Sequence, residues 1–191
     1  VTEPKKVEVS LDKTDLSCYQ RNDGEIKAKV KGGTQGLSCP YYLEISDDTG
    51  TYCVNENQAF KFTGLAAGGY KVKAVDDKGC KATSNINLDQ PPPMEVSIDS
   101  IHHVECFNGQ DGFIKFTTEG GTPPYQYDWN NPNLKGDSNV LKNLTADTYN
   151  VHIRDRNACS KFVYQEIREP ERRKIENLSS VTTIDTAERK K

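Results

Sequence analysis

Methionine and tryptophan occur once each among the 191 residues, as Met94 and Trp129, and histidine only three times. There is no long apolar run and mean hydropathy is -0.77, so no segment is suited to membrane insertion. Positive charge is not in excess either. Lys and Arg number 25 against 28 Asp and Glu, for a net charge of -3. With a pI near 5.7, the chain lacks the electrostatic footprint of a nucleic-acid binder. No Cys-x-x-Cys pair occurs, which removes the usual signature of zinc sites and of thioredoxin-like chemistry. Catalytic groupings are missing too. His102 and His103 are adjacent, so their side chains diverge on a strand, and His152 falls on the outward face between Val151 and Ile153. No serine or cysteine nucleophile is placed to pair with them, so no enzymatic activity is expected. The chain begins at Val1, which reads as an excised fragment, and the lack of a signal peptide then carries no information about destination.

What the chain does have is a second copy of itself. Val7-Glu8-Val9-Ser10-Leu11-Asp12 returns as Met94-Glu95-Val96-Ser97-Ile98-Asp99, and Asp23-Gly24-Glu25-Ile26 as Asp111-Gly112-Phe113-Ile114. Gly32-Gly33-Thr34 returns as Gly120-Gly121-Thr122, and Asp76-Asp77-Lys78-Gly79-Cys80 as Asp155-Arg156-Asn157-Ala158-Cys159. A period of about 85 residues is longer than a solenoid unit and close to one small β-sandwich.

Apolar residues alternate at period two, with no sustained helical pattern. Val7, Val9 and Leu11 match Met94, Val96 and Ile98. Ile26, Ala28 and Val30 match Ile114, Phe116 and Thr118. Tyr41, Leu43 and Ile45 match Tyr125, Tyr127 and Trp129, which reads as a core face, with Trp129 in the core rather than on a sugar-stacking platform. Tyr70, Val72 and Ala74 match Tyr149, Val151 and Ile153. Tyr70 and Tyr149 each follow a leucine by five residues, the spacing of a tyrosine corner. The expected fold is all-β: two tandem immunoglobulin-like β-sandwiches of six to seven strands each, at 7–90 and 94–170. Pro91-Pro92-Pro93 forms an extended linker at 91–93. Residues 1–6 read as the tail of a preceding unit, and 171–191 as a charged tail or the start of a third.

Six cysteines in such small units point to disulfides and an oxidising, extracytoplasmic setting. Cys18 aligns with Cys106 and Cys80 with Cys159, whereas Cys39 and Cys53 flank a stretch only the first unit has. The economical pairing is Cys18–Cys80, Cys106–Cys159 and Cys39–Cys53. An even count of four strands would bring the Cys18 and Cys80 loops to one pole, and a fifth strand would separate them. Closing that loop would stabilise a unit by roughly 4 kcal/mol in the chain-entropy model. The same meeting of loops would gather Asp23 with Asp76, and Asp111 with Asp155, as candidate calcium ligands, although Asp-Gly is also ordinary turn chemistry.

The string Gly120-Gly121-Thr122-Pro123-Pro124-Tyr125-Gln126-Tyr127-Asp128-Trp129, with Leu144 to Tyr149, Asp155 to Cys159, Cys106 and Asp111-Gly112, resembles the SprB-type repeat of Bacteroidetes cell-surface proteins. The likeness covers 94–170 well. Over 7–91 it departs where Gln35 to Cys39 are inserted and where Ile45 replaces the tryptophan. The Gly-Gly-Thr-Pro-Pro-Tyr portion is also similar to polycystic-kidney-type β-sandwich repeats. The resemblance implies a long, secreted cell-surface adhesin filament exported by the type IX system and, in gliding bacteria, carried along the surface by a motor. It implies neither an active site nor a defined ligand pocket in the repeat, and no cofactor is expected apart from the calcium that the acidic pairs could hold. Partners would be neighbouring repeats, with a surface polysaccharide or secreted protein as external ligand. The rival expectation is a carbohydrate-binding module, with recognition by Tyr42 and Tyr52 in the hairpin between Cys39 and Cys53. Asp99-Ser100-Ile101 and Asp185-Thr186-Ala187 resemble the O-glycosylation acceptor of these bacteria.

Overall fold

The computed structural model describes residues 5–129 and 138–173. Period-two apolar alternation becomes strand wherever one face can be buried. The first unit runs β1 (Glu8–Thr14), β2 (Gly24–Lys31), β3 (Tyr41–Ile45), β4 (Tyr52–Val54), β5 (Phe60–Leu65), β6 (Gly68–Asp76) and β7 (Lys81–Leu88). The second runs β8 (Glu95–His102), β9 (Gly112–Glu119), β10 (Gln126–Trp129), β11 (Val140–Leu144), β12 (Asp147–Arg154) and β13 (Ser160–Ile167). No helix occurs among the described residues.

Each unit pairs two antiparallel sheets. In the first the orders are β1-β2-β5 and β4-β3-β6-β7; in the second they are β8-β9-β11 and β10-β12-β13. Facing alternation supplies a separate core to each. Ile26, Val30, Tyr41, Leu43, Val72 and Leu88 are fully or almost fully buried in the first, and Ile114, Phe116, Leu144, Val151, Ile153 and Ile167 in the second. Both are immunoglobulin-like β-sandwiches. The tyrosine corner is present twice: Tyr70 donates its hydroxyl to the Ala66 carbonyl at 3.0 Å and Tyr149 to that of Thr145 at 3.1 Å. Trp129 is buried in the second core beside Phe116, with its indole N–H donated to the Ser138 carbonyl at 3.1 Å.

One apolar position departs from expectation. Ile98 is 42% exposed rather than packed like Leu11. The β8–β9 register shifts between Ile98 and Ser100, and such a slip re-aims side chains toward the opposite face.

Each sandwich has a leading pole, where the chain enters, and a trailing pole, where it leaves. At the leading poles Gly33 N donates to the Lys5 carbonyl at 2.6 Å and Gly121 N to that of Pro92 at 2.9 Å. At the trailing poles Leu16 N donates to Asp89 O at 3.0 Å and Val104 N to Arg168 O at 2.9 Å. The chain enters tightly. Gly120 has φ of +70°, and a Cβ there would lie 1.9 Å from the Pro93 carbonyl oxygen. Gly120→Ala should therefore destabilise the second unit by about 3 kcal/mol, combining backbone strain with overpacking. Urea denaturation checks this, and an unchanged midpoint would show that the linker yields freely.

Candidate functional site at the junction between the units

The pole geometry decides which cysteines can meet. Cys18 lies in the β1–β2 loop at the trailing pole of the first unit, and Cys80 lies in the β6–β7 loop at its leading pole. The expectation of four intervening strands is corrected by β4, three residues long, which makes five and sends the loops to opposite ends. In the second unit only four described strands intervene, but β10 and β11 run in the same direction, antiparallel to β12 and β9 respectively. The Cys106 and Cys159 loops are therefore also at opposite ends, and neither expected bond, Cys18–Cys80 or Cys106–Cys159, is formed. Instead Cys18 joins Cys159, with S–S 2.05 Å and Cα–Cα 5.7 Å, across 141 residues and across the linker. Cys80 and Cys106 are free and exposed. Cys39 and Cys53 are bonded to each other, as the hairpin reading expects. In the chain-entropy model a loop of this length is worth about 3 kcal/mol.

The loops that carry the junction are built the same way in both units. Asp76 is buried, and its carboxylate accepts backbone N–H from Thr34 at 2.8 Å, Lys78 at 3.0 Å and Cys80 at 2.8 Å. Asp155 is buried likewise and accepts from Thr122, Asn157 and Cys159, each at 2.9 Å. These bonds present Cys159 to the first unit. Asn157 Nδ2 donates to the Ser17 carbonyl at 2.9 Å, and the Cys159 sulfur lies 3.3 Å from the same oxygen. On the other side Asp89, the first residue of the connection, is gripped by Lys13 Nζ at 2.7 Å, which also reaches Asp15 at 2.8 Å. Both carboxylates pull the Lys13 ammonium pKa up, chiefly through those hydrogen bonds. Between the units lies an open cavity of about 390 Å³ lined by Tyr19, Arg21, Pro92, Pro93, Met94 and Ala158 among others.

The expected acidic pairs are not brought together within a unit, because Asp23 and Asp76 sit in loops at opposite poles. Their oxygens are also committed. Asp76 and Asp155 face amide donors, which is hydrogen-bond geometry for a loop clamp rather than an open cation cage. Asp23 accepts from both the backbone N–H and the hydroxyl of Ser17, and these bonds outweigh desolvation to hold its carboxyl below the usual range. Asp111 accepts from Glu105 N at 3.3 Å. An arrangement the sequence did not suggest is the grouping of His102, Glu105 and Asp111, whose ligand atoms lie within 4.8 Å of one another on exposed side chains. His152 does occupy the outward sheet face, but its ring is covered by Phe162, stacked at 4.2 Å between centroids.

In the first-unit hairpin, Tyr52 turns inward. Its ring packs on Phe60 at 4.7 Å and Phe62 at 5.5 Å, and its hydroxyl donates to Asp48. Tyr42 is 43% exposed. The groove beside the hairpin, about 440 Å³, has Glu44, Asp48, Lys71 and Lys73 in its lining. Ser100 of the first glycosylation-like string is exposed on β8. Asp185-Thr186-Ala187 lies outside the described residues.

Two sandwiches held end to end by a covalent junction make this a tandem immunoglobulin-like module array. The SprB repeat model matches the chain in two copies, over residues 10–42 and 100–134. Among curated proteins none matches. Among solved structures the chain is similar to the three N-terminal domains of the bacteriophage RB49 highly immunogenic outer capsid protein. That similarity is at 14% identity and TM-score 0.47, over 86% of this chain and 59% of that one. It is similar to a C-terminal fragment of intimin, crystallised with the intimin-binding domain of its translocated receptor, at 12% identity and TM-score 0.41 over 86% and 64%. It is also similar to fibronectin(III)-like modules of Clostridium thermocellum CbhA, at 13% identity and TM-score 0.33 over 88% and 100%. The chain spans less than two thirds of the first two. Among the described residues no helix is long and apolar enough to cross a membrane.

Proposed function

We propose that this chain is a stretch of a long cell-surface adhesin, in which non-enzymatic units of this kind serve as spacer and adhesive modules in surface attachment or gliding motility. The observation that carries the reading is the junction. Two units follow each other in one orientation, and a disulfide with a hydrogen bond from Asn157 fixes the second on the first. That is construction for reach and load rather than for turnover. The two SprB repeat matches support the surface setting, and the disulfides fit an oxidising exterior. Export by the type IX system and an extracellular location belong to the same proposal.

A second reading has one observation in its favour. The hairpin stapled by Cys39–Cys53 borders the groove lined by Glu44, Asp48, Lys71 and Lys73, and a pre-stiffened loop loses little entropy on binding. Lys71→Ala with Lys73→Ala distinguishes the two, because neither residue lies in a core. We expect the fragment to bind an array of glycans and bacterial polysaccharides, with or without calcium, equally well in the parent and the double variant. Saturable binding abolished by the double variant would transfer the function to the hairpin. No binding at all would leave these units as spacers.

A further inference from the structure

The two free cysteines are the unmatched halves of the junction that Cys18 and Cys159 complete. Cys106 repeats the setting of Cys18 at the trailing pole of the second unit. The Cys18 carbonyl accepts from Arg21 N at 3.2 Å and the Cys106 carbonyl from Gly109 N at 2.9 Å. Gln20 and Asn108 both take positive φ, 55° and 58°. Gln20 N donates to Gln90 Oε1 at 2.8 Å and Asn108 N to Glu169 Oε2 at 2.6 Å. Tyr19, which lines the junction cavity, has its counterpart in Phe107, and both are 44% exposed. Arg172 stands over the Phe107 ring at 6.0 Å, at the position Pro93 occupies in the first connection.

Cys80 repeats the setting of Cys159 at the leading pole of the first unit. The Asp76 N to Cys80 O bond and the Asp155 N to Cys159 O bond are both 3.0 Å. Lys5 receives the Gly33 amide as Pro92 receives that of Gly121. Lys78 stands where Asn157 stands and Glu105 where Ser17 stands, so at a like junction the Lys78 ammonium would have the Glu105 backbone carbonyl as the acceptor equivalent to the Ser17 carbonyl.

We propose that Cys80 and Cys106 are the sites of inter-unit disulfides to neighbouring units of the same kind. Each trailing-pole cysteine bonds the leading-pole cysteine of the unit that follows, so that a longer array is laced by one bond per junction. The chemistry is thiol–disulfide exchange. The two thiols give up two protons and two electrons to a small disulfide oxidant, which leaves as two thiols, and one new S–S bond forms. In such an array the strands between successive bonds are bypassed, and the units transmit tension without being drawn out. The inference deepens the adhesin reading but rests on chemistry that reads out separately from binding.

The test joins two full copies in phase, with Pro170 of the first running into Lys5 of the second, and exposes the purified protein to oxidised glutathione. Non-reducing peptide mapping should link Cys106 of the first copy to Cys80 of the second. Iodoacetamide should modify only the outermost Cys80 and the outermost Cys106. Changing the first Cys106 to Ser should make the second Cys80 fully reactive while far-UV circular dichroism stays that of the parent. The proposal is overturned if both inner cysteines remain reactive. It is equally overturned if the map shows Cys18–Cys80 and Cys106–Cys159 within units, or links of Cys80 to Cys80 and Cys106 to Cys106 between separate molecules.

Discussion

Stretched between Lys5 and Arg173, the oxidised protein should lengthen about five-fold less than a Cys18→Ser variant. The Cys18–Cys159 bond is a covalent shortcut over 141 residues. Tension entering near Lys5 runs along β1 to Cys18, crosses to Cys159 and leaves along β13. Everything from Tyr19 to Ala158 hangs in a closed loop that carries no load, and both cores lie mostly in that loop. Only about 30 residues can then be drawn straight, which at about 3.5 Å each gives about 100 Å. With the bond removed and Cys39–Cys53 kept, about 155 residues become available, or about 550 Å. Single-molecule force–extension curves read this difference directly. Equal contour lengths in the two proteins would mean the bond does not bridge the units in solution. The hydrogen bond from Asn157 to Ser17 would not substitute for it, since one such bond contributes on the order of 1 kcal/mol.

Most of the fold was legible because alternation and repetition are properties of the chain itself. Val30, Tyr41 and Val72 are apolar where one face of a strand must be buried, and the second copy confirms the phase at Phe116, Tyr127 and Val151. Ile98 was misplaced because a one-residue register shift leaves no mark on composition. The disulfide framework failed on a smaller thing. In the first unit parity turned on β4, a strand of three residues, too short to show alternation of its own, and in the second on β10 and β11 running in the same direction. The repeat itself still held the correct answer: equivalent cysteines at opposite poles can be satisfied only between units. Tyr52 looked available for a ligand because a tyrosine in a hairpin resembles a platform. Its partners Phe60 and Phe62 come from the next strand, and that packing depends on register rather than on local sequence. The acidic pairs were seen at the right positions and given the wrong partners. What a carboxylate accepts depends on which backbone amides the fold points at it.

That last point carries the second large effect. Replacing Asp76 by alanine should destabilise the first unit by about 3–5 kcal/mol, since three backbone N–H groups, from Thr34, Lys78 and Cys80, lose a charged acceptor beside the core. These groups hold the β2–β3 and β6–β7 loops together at the leading pole, so the loss should be felt by the whole unit rather than by one turn. The same carboxylate makes stability depend on acid. Burial pulls the Asp76 pKa up, yet the hydrogen bonds from the Thr34, Cys80 and Lys78 amides outweigh it and leave the pKa below its ordinary value. A group whose folded pKa is depressed contributes in full above its unfolded value, about 3.9, and the contribution is lost as pH falls through the folded value. The stability gap between parent and Asp76→Ala should therefore be constant from neutral pH down to about 5. It should then close progressively in stronger acid. Urea titrations of both proteins across that range measure it. A gap that persists undiminished at the acid end would mean the amides are held by the shape of the loop and not by the charge of Asp76.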